Sequence, residues 1–232
     1  MKELLILFIT PIVGSILVFY VKDLKRISKL LLTFSGAYLV SLVFLHILPD
    51  IYQSGSANIG IFILLGFFLQ VLLDYTSKGI EHGHVHLEKN SAIGGVLIGL
   101  YLHAFIEAIP LGMGESVHYE GVQSLLAGIV FHKLPVSIVL TTLLLSRIQK
   151  PSKAIFPIFI FVIIAPLGYA YGYYFPDFIP INFEELMALV VGIFLHVGTT
   201  IIFESSDTHK INFGKLIAIL IGFALSGILI SI

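Results

Sequence analysis

An all-α fold, a bundle of eight transmembrane helices forming one polytopic membrane domain over residues 1–232, is what the sequence predicts, on three observations. Hydrophobic residues fill 57% of the positions and charged residues only 12%, about half the charged share of soluble domains. The apolar residues gather into eight runs of about 20, the length that crosses a hydrocarbon layer of about 30 Å. Basic residues fall in alternate connections between those runs. The same composition excludes a disordered chain, a nucleic-acid surface and a disulfide scaffold. Formal net charge is -1, no basic block is present, and there are no cysteines.

The first run, residues 3 to 21, follows Lys2 as a signal peptide would, but it is long and has no clear small-residue cleavage site, so it reads as a span. The second, 30 to 50, ends in His46-Ile47-Leu48-Pro49-Asp50, which sets an imidazole and a carboxylate at one mouth. The third, 58 to 77, carries Asp74 at its other end. Residues 78–90 then form a connection containing Glu81-His82-Gly83-His84-Val85-His86-Leu87-Glu88. His82, His84 and His86 with their flanking carboxylates suit weak binding of a borderline cation by a flexible loop.

The fourth run, 91 to 113, holds His103 and Glu107 near its middle; four residues apart, they share one helical face. The fifth, 121 to 146, contains Phe131-His132-Lys133-Leu134-Pro135-Val136, again with histidine at mid-span. Pro135 has no N–H, so the Phe131 carbonyl loses its helical partner. The sixth, 152 to 175, is apolar throughout, and the seventh, 184 to 203, places His196 near mid-depth and leads to Glu204. The eighth covers 213 to 232. Lipid offers backbone groups no partner, so each run is expected as a helix.

Short connections rich in Lys and Arg stay on the cytoplasmic side. Lys22, Lys25, Arg26 and Lys29 follow the first run, Lys78 and Lys89 the third, Arg147, Lys150 and Lys153 the fifth, and Lys210 and Lys215 the seventh. The other three connections have none. Both termini are therefore expected outside and the histidine-bearing loop inside. Only Lys2 and Lys133 depart from this pattern.

An ionisable group at bilayer depth costs several kcal/mol unless paired, ligated or hydrated. His103, Glu107, His132 and the freed carbonyl together make a cation site. Imidazole nitrogen and carboxylate oxygen suit zinc and its first-row neighbours. Lys133 needs a counter-charge, and Glu107 is the carboxylate at its depth, so the two are expected in contact and the site is expected to hold one ion. His46 and Asp50 at the outer mouth, His196 at mid-depth and Glu204 at the inner end would line a path. On the residues alone, two other readings stay open: an intramembrane metal-dependent hydrolase, and a haem protein using two of His103, His132 and His196. The first lacks His-Glu-x-x-His and an evident second base, and the chain is not read as an enzyme.

In order and spacing these residues resemble the ZIP (Zrt-, Irt-like) family of divalent metal transporters over essentially the whole chain. His46-Ile47-Leu48-Pro49-Asp50 is similar to the family's ending of its second helix, and the histidine loop to its cytoplasmic loop. The His103 to Glu107 segment resembles its His-Asn-x-x-Glu-Gly type of motif, and His132 to Pro135 its His/Gln-x-x-Pro-Glu/His type. Gly192 to Leu195 with Glu204 resembles the seventh helix. The resemblance implies eight helices, often in a homodimer, in the plasma or inner membrane. The implied cargo is Zn2+, or in some members iron, manganese or cadmium, moving into the cytoplasm between helices 4 and 5. His103, Glu107 and His132 then carry over as primary ligands. The chain departs from the pattern at Ala104, Lys133 and Val136, where the family commonly has further ligands.

Overall fold

The computed structural model describes residues 2–21, 23–53, 55–82, 93–148, 150–204 and 213–228, and among them every regular element is helical. Helix α1 is Lys2–Tyr20. Helix α2, Leu24–Leu42, runs through a wide π turn, Val43–Ile47, into α3, Leu48–Gln53. Pro49 lacks an N–H and its ring would press on the carbonyl four residues back. The ladder widens just before it, with the Leu48 N–H donating to the Val43 carbonyl five residues back.

Helix α4 is Ile59–Ser77. It is followed by two left-handed residues, Lys78 at φ 57° and Gly79 at φ 72°, and a 3-10 turn, Ile80–His82. Helices α5, Ile93–Ile106, and α6, Ile109–Ser116, divide the fourth apolar run, read above as one helix, at Glu107 and Ala108. Pro110 is the cause, since its ring opposes the Ile106 carbonyl. The remaining helices are α7, Val122–Arg147, α8, Pro151–Tyr174, α9, Phe183–Glu204, and α10, Phe213–Ile228. Seven helical segments are long and apolar enough to cross a membrane, and α10 is a shorter apolar helix. Large apolar side chains such as Leu64, Phe156, Phe203 and Leu220 lie exposed on the outside, as a lipid-facing surface requires.

Packing divides the helices into two sets. Helix α4 lies along α9, and α2 packs on α9 and α10; separately, α1 packs on α7 and α8, and α8 on α5 and α6. The sets meet where α2 crosses α7 and α4 crosses α5. Within a set the backbones nearly touch. A Cβ on Gly66 of α4 would sit 1.9 Å from the Leu189 carbonyl oxygen, and one on Gly192 of α9 would sit 2.0 Å from that of Ile63. Small residues allow this approach where no water drives helices together. Helix α7 is buried along most of its length and supplies much of the core with Leu42, Leu100 and Val191.

Candidate metal centre

The α5–α6 break positions the first two groups. The Glu107 N–H still donates to the His103 carbonyl at 3.0 Å, closing the last α-type turn, while the Ala108 N–H reaches the Phe105 carbonyl at 3.3 Å. His103 and Glu107 therefore keep one face. His103 Nε2 is 3.3 Å from Glu107 Oε2, and Glu107 Oε1 accepts from Lys133 Nζ of α7 at 2.8 Å. His132 lies edge-on to His103, ring centres 5.9 Å apart. The ammonium of Lys133 also stands 5.2 Å from the centre of the Phe161 ring, a cation–π contact.

Two groups that the sequence reading missed complete this cluster. Gln70 of α4 shares a hydrogen bond with His103, Oε1 to Nδ1 at 2.9 Å, and its Nε2 donates to Glu81 Oε2. Glu81 was read as part of a flexible loop; it is instead fully buried. The left-handed Lys78 and Gly79 turn the chain back, Ile80 is buried beside it, and the turn touches α7 and α9. The signals were present in a lone amide within an apolar run and a Lys-Gly pair at its end. Burial pushes the Glu81 carboxyl up, and His103 acts against that shift.

Gln70, Glu81, His103, Glu107, His132 and Lys133 are each at most 2% exposed. Buried polar atoms ordinarily find partners, yet Glu81 Oε1, His103 Nε2 and Glu107 Oε2 have no hydrogen bond. Two of these, the imidazole nitrogen and the carboxylate oxygen, face each other at 3.3 Å and are of the donor types that zinc takes. Among the described residues no group of three or more His, Cys, Asp or Glu is gathered closely enough to hold a metal ion. Lys133 engages the other oxygen of Glu107.

The remaining candidates lie apart from this cluster. His46 Nε2 is 3.0 Å from the Ser226 carbonyl oxygen, whereas Asp50 Oδ2 accepts from Tyr119 Oη at 2.7 Å, so the two mouth residues turn to different neighbours. His196 Nε2 is 3.7 Å from Asp74 Oδ2 and edge-on to Phe67. Glu204 ends α9 and His82 ends the 3-10 turn, but their side chains are outside the described residues, as are His84 and His86 entirely. Burial first, then the bond to Asp50, pushes the Tyr119 phenol up. Tyr119→Phe removes that bond and is expected to lower stability by about 0.5–1 kcal/mol. Thermal unfolding of the purified protein measures it; an unmoved midpoint would show that the bond contributes nothing.

A family model described as ZIP zinc transporter matches residues 81–230, well over half of the chain. The matched part contains His103, Glu107, His132 and Lys133, while Gln70 and the His46 to Asp50 motif precede it. No curated protein matches the chain.

Proposed function

The chain belongs to the ZIP zinc transporter family, a family of divalent metal carriers, and from that premise we propose that it moves zinc into the cytoplasm one ion at a time. The ion is held at mid-membrane by His103 and Glu107 of the α5 end and His132 of α7. The observation that carries this reading is the buried pair of atoms, His103 Nε2 and Glu107 Oε2, 3.3 Å apart and without hydrogen bonds. A neutral imidazole and a carboxylate oxygen are ligands that zinc takes readily, and the chain has no thiolate to favour softer ions.

Lys133 limits the site to a single ion. Its charge cancels that of Glu107 at 2.8 Å, so the first divalent ion already adds two uncompensated charges to a poorly solvated place. A second would meet both that ion and the ammonium in a medium of low dielectric. Asp50 and His46 serve the outer mouth, and His196 with Asp74, then Glu204 and the loop histidines His82, His84 and His86, the inner side. The Lys and Arg distribution supports an inside loop and outside termini in the cell membrane.

The test is zinc uptake into proteoliposomes together with elemental analysis of the purified protein. One zinc per chain and saturable uptake are expected, and Lys133→Asp is expected to take a second ion. Failure to transport any divalent cation would sink the transport assignment; unchanged stoichiometry in Lys133→Asp would sink the one-ion argument alone.

A further inference from the structure

His103 can present only one nitrogen to a metal ion, and which one depends on what the other does. On its Nδ1 side stands Gln70 Oε1 at 2.9 Å, an acceptor without a hydrogen to give. The amide is held in that orientation because its nitrogen donates to Glu81 Oε2, an oxygen that accepts in the carboxylate and, in the neutral carboxyl, accepts with the proton on Oε1. Nδ1 must then be the donor, which in the neutral ring leaves Nε2 as the bare nitrogen, and Nε2 is the atom that faces Glu107. We propose that Gln70 and Glu81 are positioning residues for His103: Glu81 fixes the Gln70 amide, and Gln70 fixes the imidazole tautomer that offers Nε2 to the ion.

This rests on reading His103, Glu107 and His132 as the metal site. Both new residues come from outside the set of helices that carries the ligands. Gln70 is on α4 and Glu81 on the turn that follows it, whereas His103 is on α5 and His132 on α7. The hydrogen bond from His103 to Gln70 therefore crosses the seam between the two helix sets. Outer partners of this kind typically change metal affinity about 10–100-fold when removed. Gln70 and Glu81 are fully buried, so water does not substitute for either.

The experiment uses the full-length protein, labelled with nitrogen-15 at histidine, metal-free and in lipid nanodiscs. The His103 signal is assigned by its loss in His103→Asn. It is expected in the Nδ1–H tautomer in the parent and to leave it in Gln70→Leu. Zinc titration of Gln70→Leu should give a dissociation constant about 10–100-fold higher at unchanged stoichiometry. The exchange Gln70→Glu with Glu81→Gln rebuilds an acceptor for Nδ1 and should return most of the affinity lost in Gln70→Leu; a merely space-filling role would not be rescued by moving the charge. An Nε2–H tautomer in the parent overturns the proposal whether or not Gln70→Leu folds, and so does parental zinc affinity in a folded Gln70→Leu protein. If His103→Asn and Glu107→Ala both bind zinc as the parent does, the metal-site reading falls first and takes this inference with it.

Discussion

Glu107→Ala is expected to abolish zinc uptake and to destabilise the folded protein by about 3–5 kcal/mol, the range for removing one partner of a buried ion pair. Lys133 would be left with its charge at 2% exposure beside the Phe161 ring, a contact worth about 0.5–2 kcal/mol. The stability loss and the transport loss have separate causes and separate remedies. In Glu107→Ala combined with Lys133→Met the orphaned charge is gone, so stability should largely return while zinc uptake stays absent. Thermal unfolding in detergent and proteoliposome uptake read the two effects independently. A single variant as stable as the parent would mean that the buried pair contributes no stability; uptake surviving in it would mean that Glu107 is no ligand.

Gly66→Ala and Gly192→Ala are each expected to cost about 3 kcal/mol, the upper end of ordinary overpacking. The new methyl group would meet backbone, which has nowhere to turn. On Gly66 it would lie 1.9 Å from the Leu189 oxygen, and on Gly192 2.0 Å from the Ile63 oxygen and 2.5 Å from the Phe67 nitrogen. For a chain of this size the midpoint should fall by roughly 6–12 °C. Gly60→Ala, on the same helix with nothing within 4 Å, is the control and should be neutral or slightly stabilising by about 0.5–1 kcal/mol. Equal midpoints for all three would show that α4 and α9 do not pack as described.

The spans were legible because lipid leaves an apolar run little choice but to be helical. His103, Glu107, His132 and Lys133 stood out for a related reason: groups so costly at that depth are kept there only with partners. Where the sequence reading fell short, the missing fact was a partner far along the chain. Gln70 is unremarkable until His103, 33 positions on, is found against it. Asp50 and His46 look like one mouth site until Tyr119 and Ser226 claim them separately. Glu81 was misread for a different reason. The tract that follows it is polar and looks solvated, and the left-handed step at Lys78 and Gly79 turns the chain so that it is buried. The Pro110 break was visible as a residue but not as a division, because an apolar run shows no gap where a helix merely restarts.

On the proposed transport reading, the Glu107–Lys133 pair also bears on which half of the cycle feels the membrane potential. With the carboxylate and ammonium cancelling, the pair itself adds no net charge to the empty site and would give a return step no voltage dependence of its own. The loaded site carries the two charges of the ion, on which 100 mV across the full membrane acts with about 5 kcal/mol. In an inside-negative cell the pair would thus leave the voltage to act on the ion in the loaded step.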